Sequence, residues 1–227
     1  MGPVLIALVL CIGLALPAAA QTPPSAQQVA QYGGLHAAAW SGDLAQLQRL
    51  IGARADLNAR DTNGRTPLHV ATFARQMQAL RLLAQAGADL GALDNDRYDA
   101  VTIAAVADDE ATLSLLLSLG ASAKLVTSRY DGSALIAAAH LGHDGVVRQL
   151  IQAGAPLDHV NNLHWTALIE SIVLGQGGPR HVATLQALVE AGADTQLADR
   201  QGQTPLALAR ARGYAPMVQI LLKAGAR

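Results

Sequence analysis

An apolar residue opening a short helical stretch returns at Leu35, Leu68, Val101, Leu135, Leu168 and Leu206, at steps of 33, 33, 34, 33 and 38 residues. A second landmark keeps register with it, a glycine at Gly87, Gly120, Gly154, Gly192 and Gly225, with Arg54 at the matching place in the first unit. Paired landmarks at this period point to an array of small modules, each too thin to bury its own apolar face and completed by its neighbours. Within one period, Asp61 to Gly64 is a turn signal, Thr66-Pro67 opens a helix, and Leu82-Leu83 to Gly87 closes a second. The expected fold class is all-α: about six helix-turn-helix units stacked as a solenoid, with short hairpin loops between them.

Two stretches carry a family resemblance. Thr66-Pro67-Leu68-His69-Val70-Ala71, with Ala86-Gly87-Ala88-Asp89 behind it, resembles the ankyrin repeat of an exported bacterial protein. The resemblance spans about 32–227, with repeats at about 32–60, 61–93, 94–127, 128–160, 161–198 and 199–227. It implies that His36 and His69 are structural, hydrogen-bonding between neighbouring turns. It also implies a binding role, with the work done in a concave groove.

Composition agrees. Apolar residues at 51% can line a continuous core, whereas 3% aromatic and 15% charged are low for a large single-core enzyme. A net charge of -1 offers no cationic footprint for phosphate backbones, so nucleic acid is not an expected partner. The leader reads as follows: Pro3 to Pro17 is an uncharged apolar run, then come Ala18-Ala19-Ala20 and the polar Gln21-Thr22-Pro23-Pro24. Residues 1–20 are therefore expected to be a signal peptide cleaved after Ala20, although Met1-Gly2-Pro3 supplies no Lys or Arg, so a longer start or an uncleaved anchor is the alternative. Cys11 lies inside that segment, preceded by Leu10 where a lipoprotein needs a small residue, which leaves the mature chain without a thiol. The expected address is periplasmic or secreted in a Gram-negative bacterium, with no membrane attachment after cleavage. Residues 21–31 then form a polar, mobile linker, and the mature protein is expected to be a monomer.

The units depart from one another in readable ways. Unit one lacks both the Thr-Pro pair and a preceding hairpin, as a terminal capping unit should. Arg54 stands there where positive φ is expected, at a cost of roughly 1 kcal/mol. Arg75 occupies the usual inter-helix glycine place of unit two. Unit three replaces Thr-Pro by Asp99-Ala100 and sets Asp108-Asp109 at its inter-helix turn; paired acids can look catalytic, but a helix start favours them for its own reasons. Unit four carries one extra residue near Ser128 to Gly132, so its hairpin tip should bulge. Unit five runs 24 positions from Leu168 to Gly192 against 19 from Leu68 to Gly87, an insertion of five around Gly175-Gln176-Gly177-Gly178-Pro179. Those glycines resemble a phosphate cradle, but no Lys-Ser/Thr follows and no strand precedes; a flexible loop is the expectation. Unit six ends the chain with Met217, Ile220, Leu221 and Leu222 and no obviously polar cap.

No catalytic, cofactor or metal residues are expected. The mature chain has no cysteine and no GxSxG, and His140, His143, His159 and His164 lack a spacing that sets a third ligand. Activity hidden in the unit-five loop and His140 is the minor alternative. What stands out is where the scarce aromatics fall. Five residues after each leading apolar residue come Trp40, Phe73, Val106, His140 and Val173, which in ankyrin repeats is the row facing the groove. Three residues before come Arg65, Tyr98 and Trp165 at the hairpin edge, with Tyr130 nearby. The expected partner-binding residues are thus Trp40, Phe73, Tyr98, Val106, Tyr130, His140, Trp165 and Val173, holding a protein. The alternative is that these side chains pack only on their neighbours in the stack. Resemblance also implies a narrower role, a periplasmic protective scaffold for an oxidative-stress enzyme of catalase type; the leader leaves open a further alternative, a secreted effector acting on host proteins.

Overall fold

The computed structural model describes residues 21–227, so the leader lies outside the described residues. Six helix pairs follow a short first helix, α1 (Ala26–Gln31). They are α2 (Gly34–Ser41) with α3 (Leu44–Gly52), α4 (Pro67–Phe73) with α5 (Met77–Gln85), and α6 (Ala100–Val106) with α7 (Glu110–Ser118). Next come α8 (Ala134–Leu141) with α9 (Asp144–Gln152), α10 (Ala167–Val173) with α11 (Pro179–Glu190), and α12 (Pro205–Ala211) with α13 (Ala215–Lys223). The even-numbered helices pack on one another as an inner layer and the odd-numbered ones as an outer layer, so the all-α solenoid is as the repeat implied.

Each inner helix from α4 onward starts where the sequence offers an acceptor for its orphan amides. Thr66, Ser133, Thr166 and Thr204 cap α4, α8, α10 and α12 through their hydroxyls, and Asp99 does the same for α6 with a carboxylate. Asp99 is therefore a like-for-like substitute for threonine in unit three. His69 completes a reciprocal cap: its Nδ1 accepts the Thr66 amide at 3.0 Å, while its Nε2 donates to the Tyr98 carbonyl at 3.0 Å, one unit on. His36 likewise donates to the Arg65 carbonyl at 2.8 Å. Burial holds the His69 imidazole below its usual range, consistent with this neutral, fully bonded role.

Small residues let the inner helices approach. Ala38, Ala39, Ala71, Ala104, Ala105, Ala138 and Ala139 are buried between them. Leu47, Leu80, Leu83, Leu113, Leu116, Leu150 and Leu188 fill the space against the outer layer, and covering such side chains is worth about 25 cal/mol per Å². The outer helices end at left-handed glycines, Gly87, Gly120, Gly154, Gly192 and Gly225, and Arg54 takes φ 57° in their place. Arg75 and Asp108 also hold positive φ, at the inter-helix turns.

The hairpins interlock along one edge. The Asn95 amide donates to Asn63, Ser128 to Arg97, and Asn162 to Tyr130, each at 2.8 to 2.9 Å. Inside each hairpin one side chain gathers two amides: Asp61, Asp94 and Asp199 do so in units two, three and six, and Asn161 in unit five. The bulge expected in unit four appears as a Thr127–Gly132 bridge enclosing Ser128 at φ 64° and Asp131 at φ 51°.

Three local expectations need correction. Residues 21–31 are not wholly a loose linker. Ser25 and Gln28 form a capping box on α1, Pro24 is buried, and Gln28 bonds to the Asn63 side chain. With Tyr32 donating to Asp61 at 3.0 Å, this segment covers the edge where unit one has no hairpin. The unit-five connection is likewise held in place. Tyr214 donates to the Gly175 carbonyl at 3.0 Å, and Gly177 lies against the Tyr214 ring. The five extra residues divide between loop and helix, since α11 has 12 residues against nine in α5 and the connection is 174–178 against 74–76. The third correction concerns Asp108-Asp109: Asp109 caps α7, but Asp108 is taken by Arg180 of unit five at 2.8 and 3.0 Å. Arg180 also reaches Asp144 at 3.2 Å, and Asp144 pairs with Arg148, so units three, four and five share one ion network. Among the described residues, no helix is long and apolar enough to cross a membrane.

Candidate partner-binding groove

The inner helices end in one row. Trp40, Phe73, Val106, His140 and Val173 stand at or next to the last residues of α2, α4, α6, α8 and α10, and all are half-buried. Trp40 packs against the core, and its carbonyl accepts the Gln76 amide at 3.2 Å, so its role is partly structural. Phe73 and Val106 are brought together: with Thr72, Ile103, Ala107 and Asp109 they line a recess of about 330 Å³. Gln21 and Pro23 of the N-terminal segment form part of its wall. Arg65 lies over the Phe73 ring, 5.3 Å from its centre, a cation–π stack that turns the ring into a platform.

The hairpin edge carries the second set. Tyr98 and Trp165 are half-buried, and each anchors its hairpin through the backbone: Tyr98 lends its carbonyl to His69, while Trp165 pairs with Asn161. Tyr130 is about two-fifths exposed and is joined there by Val126, Val160 and Leu163, which the repeat analysis did not single out. These four apolar side chains sit where units three, four and five join, and they take no part in the buried core. Their signal was an apolar residue at a loop position, readable only once the loop is known to point outward.

His140 meets a residue that was also passed over. Glu170 is only 5% exposed, and its Oε1 accepts the Asn161 amide nitrogen at 2.8 Å, while Oε2 lies 3.6 Å from His140 Nδ1. Burial pushes the Glu170 carboxyl up to about 7, the Asn161 hydrogen bond opposing, and burial followed by the neighbouring His181 and His143 holds His140 down. At 3.6 Å the imidazole and the carboxyl face each other, with Glu170 on the buried side and His140 on the half-exposed side. Two residues after the leading apolar position the other units carry Ala37, Val70, Ile103, Ala137 and Leu208, so an acid in that column was the available signal. Asn161 belongs to the same adjustment, because an aspartate there would set two carboxylates against each other.

The remaining histidines do not converge. His143 Nδ1 donates to Ala105, His159 to Asp131 and His181 to the His140 carbonyl, and His164 contacts Arg200. Among the described residues no three His, Cys, Asp or Glu side chains are grouped to hold a metal ion. What the geometry offers is a strip of apolar and aromatic contacts along the inner-helix ends and finger tips, suited to a macromolecular surface.

Known proteins share this architecture. YahD, a putative ankyrin repeat protein of Escherichia coli (strain K12), is 40% identical over 100 residues, which is 44% of this chain and 50% of that protein. The matched part thus spans about half the length of that relative. The crystal structure of an ankyrin repeat domain (ABAYE2397) from Acinetobacter baumannii AYE superposes with a TM-score of 0.80 at 42% identity, over 85% of this chain and 98% of that one. A chain in the complex of the Bd0816 predatory endopeptidase from Bdellovibrio bacteriovorus with immunity protein Bd3460 matches with a TM-score of 0.65 at 25% identity, over 85% of this chain and 98% of that one. The family model described as ankyrin repeats (3 copies) matches twice, at 35–127 and 135–227. With both matches in register with the six helix pairs, the chain belongs to the ankyrin-repeat family.

Proposed function

We propose that this protein is a non-enzymatic scaffold that holds a protein partner along its groove and finger edge. The observation that carries the reading is the strip formed by Val126, Tyr130, Val160 and Leu163, exposed beside half-buried Trp165 and contributing nothing to the core. Apolar side chains grouped in this way are the usual anchors of an interface. The ankyrin fold is a protein-interaction fold, and a related chain occurs in a complex between an endopeptidase and its immunity protein. A stacked array meets the ordering cost when it folds, so docking on it loses little further entropy. The same reading has the protein act outside the cytoplasm as a monomer. The apolar run of Pro3 to Pro17 followed by three alanines supports export, and the net charge of -1 favours a protein over nucleic acid as partner.

The test is a triple variant, Tyr130→Ser, Val160→Ser and Leu163→Ser, which should leave the melting temperature within about 2 °C because none of the three fills the core. Proteins captured by the parent from an extract of the encoding organism should be lost by the variant. Recovery of the same proteins by both would remove the finger edge from the reading.

A further inference from the structure

The groove changes character between units four and five. The recess between units two and three is lined by Phe73, at the end of α4, and by Ile103 and Val106, one turn apart on α6. Two periods later, 67 residues on in each case, the same three places hold His140, Glu170 and Val173. An imidazole and an acid thus stand where the first recess is apolar. Glu170 is 5% exposed, and its Oε1 accepts from Asn161 Nδ2 at 2.8 Å. Its Oε2 makes no hydrogen bond among the described residues; it faces His140 Nδ1 at 3.6 Å, and no Lys or Arg pairs with it there. Burial raises this carboxyl to about 7, opposed only by the Asn161 bond, so no nearby positive charge steadies the ionised form. The imidazole does not supply one, because burial, then His181 and His143, hold His140 down. A buried acid in an apolar column works against the fold, and such departures from the pattern mark residues kept for binding.

We propose that Glu170, with the half-exposed His140 at its mouth, is a subsite for a basic side chain of the protein partner, a lysine or arginine laid into the groove between units four and five. The subsite rests on the scaffold reading and names the chemistry of one part of its surface. Oε2 and Nδ1 are too far apart to bond each other well, but an ammonium or guanidinium between them gives an N–H to each acceptor, with His140 in its Nε2–H tautomer. The cation also removes what makes Glu170 costly, since it pairs a carboxylate that burial has separated from water. The aliphatic stem of such a side chain suits Val173, one turn further along the same face of α10. A partner acid fits less well: it would need His140 charged beside His181 and His143, against the direction in which burial holds it.

The probes are biotinylated hexapeptide pools, random except for a central residue fixed as lysine, norleucine or glutamate, and the readout is retention on the whole protein. At pH 8 the parent should retain the lysine pool about tenfold better than the norleucine pool, the worth of one charge-assisted pairing. Most of that preference should be lost at pH 5.5, where Glu170 holds its proton and offers no charge; any proton taken up by His140 there acts in the same sense. Glu170→Gln should abolish the preference at both pH values. Asp96→Asn, which removes an exposed acid paired with Arg129, should leave it intact and so separates the subsite from the protein's general charge. Equal retention of the lysine and norleucine pools by the parent, a lysine preference that survives in Glu170→Gln, or a preference for the glutamate pool would each overturn the proposal. None of these results bears on the finger-edge triple variant, so a failure of the scaffold reading would be seen separately.

Discussion

Replacing Glu170 by glutamine should make the protein more stable at neutral pH and flatten its pH dependence. The carboxyl is pushed from its ordinary 4.5 to about 7, first by burial, with the Asn161 hydrogen bond opposing. Because the folded value is the higher one, the folded state holds the proton more tightly than the unfolded chain. Stability from this group is therefore greatest below pH 4.5 and is lost as pH rises through 7. At about 1.4 kcal/mol per pKa unit, the cost is roughly 3 kcal/mol at pH 7 and under about 1 kcal/mol at pH 5. Glutamine removes the titration yet keeps the local bond. Asn161 Oδ1 is pinned by the amides of Leu163 and Trp165, so Nδ2 continues to point at position 170 and meets the glutamine oxygen. The other groups facing the site act in the opposite sense: His140, depressed by burial and by His181 and His143, favours the fold less as pH falls below 6.5. Urea unfolding of parent and Glu170→Gln at pH 5, 6, 7 and 8 isolates the carboxyl in the difference between the two curves. That difference should grow by about 2 kcal/mol from pH 5 to pH 7. Parallel curves would refute the reasoning, because they would mean that Glu170 titrates in the fold as it does in water.

Two further substitutions probe the backbone. Arg54→Gly relieves a side chain at φ 57° on an exposed helix end and should raise stability by about 0.5 to 1 kcal/mol, or roughly 1 to 4 °C by calorimetry. An unchanged or lower melting temperature would show that unit one stores no strain there. Gly175→Ala would place a Cβ 2.0 Å from the Ser171 carbonyl oxygen and 2.6 Å from the His181 ring, with backbone that cannot yield cheaply. It should cost about 2 kcal/mol or more, and a melting curve superimposable on the parent's would mean that the connection is as free as its glycines suggest.

What could be read from the sequence was whatever recurs. Leu68, Thr66, His69 and Gly87 have counterparts one period away, so their roles as core, cap, tie and terminator could be inferred by comparison within the chain. Arg54 was legible for the same reason, as the one exception in a column of glycines. Phe73 and Val106 could be placed in one row by counting, and the structure sets them around one recess. Trp40 counts into the same row but sits partly in the packing, because unit one has no earlier neighbour to shape a groove. The unread parts depend on contacts between different columns. Glu170 stands in an apolar column and is tolerated through Asn161, nine residues earlier in a different element. Residues 21–31 look polar and unpatterned, yet Arg65 and Asn63 gather them back, and Asp61 holds the adjoining Tyr32, through bonds that no local period encodes. The five extra residues of unit five were counted correctly, but their division between loop and helix depends on contacts with neighbouring elements, Tyr214 on Gly175 and the His140 carbonyl on His181.

Arg180 changes how this array should bend. In a stack where every layer touches only the next, flexibility is spread evenly and each joint can flex alone. Here one guanidinium bridges two interfaces at once, reaching from the fifth layer past the fourth to Asp108 in the third. Its reach exists because α11 begins three residues early, so the irregular unit supplies the strut. The middle of the spring is thereby stiffened relative to its two ends, and the curvature presented at layers three to five is the part least able to adapt to whatever is laid against it.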